Sequence, residues 1–233
     1  MNGAIDNFRQ SLSYLASLGN IYRYLSSVAS TAVVSSSLDE ILRAELALAV
    51  SCLDAYIHDL VRQGIAEIYS DSRPTTKKFT DDVYVSLYSV KASFQDFKNL
   101  ISSSSDLDSA NSNINSMLSS ITQQRWLEGE ISKMYERDSF QSSGKVENAI
   151  KIISDVKIWQ ELAVKMGGRA EDIKKELDLI VKRRNEIVHE ADIDVANSRA
   201  YGTVMRYPID RAQVDRVLKF ISDFAENLFL VVK

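Results

Sequence analysis

Residues 42–60 read L-R-A-E-L-A-L-A-V-S-C-L-D-A-Y-I-H-D-L, and the fold class follows from that stretch. Leu42, Leu46, Ala49, Leu53, Tyr56 and Leu60 recur every three or four residues, and Val50, Ile57, Val61 and Ile68 widen the stripe. That period belongs to a helix, whereas a strand would alternate with period two. Apolar residues around most of the circumference predict a central helix covered by others. The same spacing recurs along almost the whole chain of 233 residues, of which 45% are hydrophobic and 26% charged. A chain of this size and composition can bury a core as a single domain, residues 1–233. With 2 Pro and 8 Gly it lacks the turn signals that a sandwich or barrel needs every ~8–12 residues, so the expectation is all-α.

Seven helices are predicted. The first covers about Asp6 to Val28. The second opens at Ser37, where S-L-D-E is a capping box joining Ser37 and Glu40, and persists to about Tyr69. A third runs from about Asp81 to Ile101 after a Thr80 cap, and a fourth from about Asn113 to Glu136. The fifth spans Val146 to Met166 and is stopped by Gly167 and Gly168. A sixth covers about Glu171 to His189. Ala191 to Pro208 reads as a long loop, after which Asp210 and Gln213 start a closing amphipathic helix that ends near Val232.

Polar residues inside the apolar stripes are the candidates for chemistry. Asp54 and His58 stand i, i+4 on one face of the second helix, either at a solvated edge or at a site. On the sixth helix the stripe Ile173, Leu177, Ile180, Val181, Ile187, Val188 is interrupted by Arg184, which at ~100° per residue lies about 20° from Ile173. A core-facing guanidinium needs acceptors for its fixed fork of donors: a carboxylate, a facing subunit or an anionic ligand. Asn185 and His189 fall i, i+4 on the adjoining face. An imidazole to move protons, a fixed cation to balance phosphorane charge and an amide to hold them in register are what metal-free cleavage of an RNA phosphodiester requires. A structural ion pair for Arg184 and a helix-end hydrogen bond for His189 would explain the same spacing without chemistry.

The rest of the composition narrows the classes. Cys52 is the single cysteine, which excludes an intramolecular disulfide and a cysteine-based zinc set and points to a reducing, cytoplasmic setting. Two histidines, only one of them with an acid four residues away, make a metal site or cofactor unexpected. The opening M-N-G-A-I-D lacks the basic and apolar regions of a secretory signal. The longest aliphatic runs fall far short of the ~20 residues of a membrane span. Net charge is −4, but residues after Gly144 hold 16 Lys/Arg against 15 Asp/Glu, so an anionic ligand is expected there.

Arg184, Asn185 and His189 in R-N-E-I-V-H resemble the signature of the HEPN superfamily of small all-α proteins. L-R-A at 42–44 followed by A-V-S-C-L-D-A-Y-I-H-D at 49–59 is similar to the long second helix of its RiboL-PSP-HEPN branch. R-R-N-E-I-V-H-E-A-D at 183–192 and Y-P-I-D at 207–210 look like the C-terminal half of that branch. The resemblance covers about 5–70 and 170–232 and leaves about 75–165 as a helical insertion that could bind a partner or shape substrate access. It implies a HEPN-like bundle acting as a metal-independent, cofactor-free endoribonuclease, as in toxin–antitoxin and phage-defence systems, and because the 2′-OH already beside the phosphate is the nucleophile, cleavage of single-stranded RNA is expected to leave a 2′,3′-cyclic phosphate. In that reading Arg184, Asn185 and His189 are catalytic, and Lys182 and Arg183 bind RNA. Asp54 pairs with Arg184, with His58 beside them. The resemblance further implies a homodimer with two motifs across one cleft, and an antitoxin or defence-system partner protein. Some relatives are inactive RNA-binding or interaction modules, which is the alternative.

Overall fold

Leu42, Ala49, Val50, Leu53, Ile57 and Leu60 are fully buried, as the spacing predicts for a central helix. They lie on α2 (Ala32–Tyr69) of a computed structural model that describes residues 2–28, 32–81, 129 and 138–233. The other helices are α1 (Asn2–Val28), α3 (Lys77–Phe79), α4 (Ser143–Ile153), α5 (Ile158–Met166), α6 (Ala170–His189), α7 (Val195–Tyr201) and α8 (Arg211–Val232). Among the described residues the extended structure is one isolated antiparallel bridge, Ile193 to Arg206, so the protein is all-α. No described helix is long and apolar enough to cross a membrane.

The chain divides into two compact units. The first comprises Met1–Leu60, Ser139–Ala149 and Val156–Lys233. Here Leu42 and Leu46 form a cluster with Ile209 and Val214, against which Tyr22, Ile187, Val217 and Leu218 pack. Helix α5 packs on α6 and α8, and α1 packs on α8. Trp159 and Phe224 meet at 6.0 Å between ring centroids. The Tyr56 hydroxyl donates to the Ala225 carbonyl at 3.2 Å, which satisfies the polar end of an otherwise buried ring. Burial of that hydroxyl pushes its ionisation above the usual tyrosine range.

The second unit comprises Val61–Asp138 and Ile150–Asp155. A Cβ added at Gly64 would stand 2.6 Å from Ile153 Cγ2, so hydrogen is the only side chain that this approach admits. The last carbonyls of α4, left without helical partners, accept from Thr76 Oγ1 at Ile152 (2.8 Å) and from Arg73 at Ile153 (3.2 Å).

Several boundaries differ from the expectations. Helix α2 is already running at Ala32, which puts Ser37 inside it rather than at a capping box. Thr76, not Thr80, caps the next turn, accepting from the Phe79 amide at 3.0 Å, and Thr80 is its C-cap. The predicted third helix, apart from Asp81, and the predicted fourth, apart from Gly129, lie outside the described residues. The predicted fifth helix is two, α4 and α5, separated by Ser154 to Lys157. On an unbroken helix at ~100° per residue, Ile158, Trp159 and Leu162 would face away from Val146, Ala149, Ile150 and Ile153. All seven are buried, so the chain must re-aim the second apolar face. The stop at Gly167 is as expected, with φ +71 in the left-handed region. So is the start of α8, where Asp210 and Gln213 form a complete capping box. The predicted loop at 191–208 contains α7, capped by Asp194 and ended by Gly202.

Candidate active site

The sequence R-R-N-E-I-V-H closes α6, and the way the helix stops determines where its last residues point. Glu190 and Asp192 both donate their amides to the Glu186 carbonyl, at 3.1 and 2.9 Å. To make that turn Ala191 and Asp192 adopt φ +52 and +60, a conformation that costs a residue with a Cβ ~1–2 kcal/mol. Two consecutive non-glycine residues there need a strong tertiary anchor.

The anchor is the Asp192 side chain, which is 0% exposed. Its Oδ1 accepts from Arg183, and its Oδ2 accepts from Arg183 at 3.0 Å and from Arg43 Nε at 2.6 Å. Both guanidinium groups reach onward to the Tyr207 carbonyl, at 2.9 Å from Arg43 and 3.5 Å from Arg183. The Tyr207 amide returns a bond to the Asp192 carbonyl at 3.0 Å. Glu40 takes the remaining reach of Arg43 at 3.2 Å and also pairs with Arg206. One buried carboxylate thus ties α2, the end of α6 and the segment before α8 together. The segment is braced further by Asp194, whose carboxylate caps α7 through the Asn197 amide at 3.0 Å. That bond, with the Asn197 side-chain amide, holds the Asp194 carboxyl below the usual carboxylate range.

The expected catalytic trio stands on the other side of the helix end. Arg184 is half-buried, and its Nε is buried without a hydrogen-bond partner. Its Nη1 donates to Asn185 Oδ1 at 3.1 Å, and no carboxylate among the described residues lies within ion-pair distance. Asn185 and His189 are exposed. The buried stripe ends at Val181: Ile187 is half-buried and Val188 exposed, so α6 is emerging from the core where the trio begins. Lys182 is exposed, 3.8 Å from Glu186, at one end of an open cleft that Lys174, Lys175, Glu171 and Asp178 also line.

Three expected placements change. Asp54 does not pair with Arg184: its Oδ1 accepts from the Phe140 amide at 2.6 Å and its Oδ2 from Gln141 at 3.1 Å. His58 stands with Asp54 and Phe140, its Nε2 3.9 Å from Asp54 and its ring 4.4 Å from that of Phe140, away from the trio's own contacts. The pair therefore anchors Phe140 and Gln141 to α2. Arg183, expected to bind RNA, has both its terminal nitrogens on Asp192. Sequence reasoning missed Arg43 and Asp192. The signal for Arg43 was present, because a cation beside Leu42 on a helix apolar around most of its circumference faces the same desolvation problem as Arg184. For Asp192 there was none, since a left-handed aspartate after two residues of turn has no local signature. Among the described residues no three His, Cys, Asp or Glu side chains gather as a metal-binding group.

The family model described as RiboL-PSP-HEPN matches residues 9–233, a span that includes 75–165. No curated protein and no solved structure matches the chain.

Asp192→Asn isolates the anchoring charge, because asparagine tolerates the left-handed conformation that the turn requires. Leaving two arginines around a neutral amide should lower the free energy of unfolding by about 3–5 kcal/mol in chemical denaturation. A loss within ~0.5 kcal/mol, the range of surface substitutions, would mean that the turn is held by something else.

Proposed function

The chain belongs to the RiboL-PSP-HEPN family, and on that premise we propose that it is a metal-independent endoribonuclease of single-stranded RNA. The HEPN family is generally associated with ribonuclease activity. The observation that carries the reading for this chain is the half-buried Arg184 guanidinium, which among the described residues has a side-chain amide for a partner and no carboxylate, with an exposed imidazole on the same helix end. A cation left in that state is free to take phosphate oxygens, and a planar fork grips two of them at once.

The chemistry then needs no external nucleophile. The 2′-oxygen attacks the adjacent phosphorus, the bond from phosphorus to the 5′-oxygen breaks, and the products are a 2′,3′-cyclic phosphate and a 5′-hydroxyl. The proton of the 2′-hydroxyl leaves to an imidazole, and a proton returns to the departing 5′-oxygen, a shuttle suited to His189 because imidazole exchanges protons near neutral pH. Arg184 balances the charge of the phosphorane, and Asn185 holds Arg184 in register. Lys182 would meet the RNA backbone along the cleft beside α6. The protein acts as a homodimer in this reading, one His189 accepting the proton and its partner donating it across a two-fold cleft. Its biological role is that of a toxin or phage-defence effector, held in check or deployed by a partner protein whose gene would neighbour its own.

Purified protein should cut single-stranded RNA in the presence of EDTA and leave DNA of the same sequence intact. His189→Ala should slow cleavage by ~10²–10⁴ without unfolding the chain. Arg184→Lys should stay folded and cleave poorly, since it keeps charge but loses the fork. If wild type and His189→Ala leave RNA equally intact, the enzyme reading fails and an RNA-binding or interaction module takes its place. Light scattering at micromolar concentration should give about twice the 26.2 kDa chain mass. A strict monomer would remove the two-histidine shuttle.

A further inference from the structure

Phosphate contacts hold RNA without fixing which nucleotide lies at the cut, so a nuclease for single strands gains from a surface on which a base can stack. Resting on the ribonuclease reading, we propose that Tyr207 is a stacking platform for a nucleobase of single-stranded RNA bound at the end of α6. The residue is 39% exposed, and the Arg183 guanidinium carbon lies 5.4 Å from the ring centroid. An exposed tyrosine is ordinary, but the mounting of this one is not. Its amide donates to the buried Asp192, its carbonyl accepts from Arg43 and Arg183, and Pro208 follows it. A residue before proline is confined to extended backbone, so both ends of Tyr207 are pinned.

The two guanidinium groups that pin it are themselves held on the buried Asp192 carboxylate. A ring carried on so fixed a backbone gives up little conformational freedom when a base settles on it, which is what makes a contact count toward affinity. The location fits the same task. Arg183 precedes Arg184 in the chain, and Asp192 follows His189 by three residues, so the platform hangs from the same helix end that carries the trio. Because every base has a π-face, the platform accepts any nucleobase and sets the position of the strand rather than its sequence.

The test uses the full chain as His189→Ala, which cuts its ligand ~10²–10⁴-fold more slowly, and fluorescence anisotropy with a labelled single-stranded oligoribonucleotide short enough to bind in one register. Tyr207→Leu should weaken binding by about 5- to 150-fold, the range for losing one base–aromatic stack. Tyr207→Phe, which keeps the ring, should bind like the parent. A second measurement leaves the protein unaltered at Tyr207 and removes bases from the oligoribonucleotide one at a time. One abasic position should reproduce the loss seen with Tyr207→Leu, and at that position Tyr207→Leu should add no further loss. If Tyr207→Leu binds as tightly as the parent, or if every abasic oligoribonucleotide binds equally, the platform is refuted while the nuclease reading stands. If wild-type protein neither binds nor cuts RNA, both fail together.

Discussion

A single carboxylate with no exposed surface, Asp192, lies between two guanidinium groups, and the end of α6 depends on it. Taking three charges out of water costs several kcal/mol per ion after relaxation. The geometry offsets this with charge-assisted bonds to both carboxylate oxygens and with carbonyl acceptors at Tyr207 and Pro208 for the outer nitrogens. Glu40 draws off part of the excess positive charge from its more exposed position. The result is positional: α2, α6 and the segment before α8 cannot move independently without separating charges in a low-dielectric setting.

That constraint divides the adjacent arginines by role. Arg183 and Arg184 point about 100° apart on the helix, so one can turn toward Asp192 while the other stays at the emerging end with Asn185 and His189. The left-handed turn at Ala191 and Asp192 is strained for residues with a Cβ, and strain of this kind persists where the surroundings over-determine it. Here it sits two and three residues after the histidine of the motif. The turn, the buried ion cluster, the half-buried Arg184 and the exposed Asn185 and His189 form one arrangement, in which rigidity on one side of α6 fixes the side chains presented on the other.

What could be read from the sequence was what local physics decides. The burial of α2, the extent of α6, the stop at Gly167 and the capping box at Asp210 follow from periodicity and from groups within a few residues of one another. That Arg184, Asn185 and His189 share one helix end was legible too, because a single periodic stretch carries all three. The errors share a different cause. The break between α4 and α5 depends on which side of each helix meets a neighbour, α7 depends on a cap inside a segment rich in turn residues, and the partner of Asp54 arrives from residue 140. The choice between the two arginines was the most consequential. The wheel favours Arg184 for burial, since it projects near Ile173, yet Arg183 takes the carboxylate because Asp192 comes back by a turn that no local rule favours.

The most direct test of this account compares the melting temperatures of Arg183→Met and Arg184→Met, each with its cleavage rate. Arg183→Met leaves Asp192 with one partner and should lose several degrees. Arg184→Met removes a buried, unpartnered Nε and breaks no ion pair among the described residues, so it should melt at or above the wild-type temperature while losing cleavage. An Arg184→Met variant that melts as low as Arg183→Met would show that Arg184 carries structure, and the division of roles between the two arginines would be wrong.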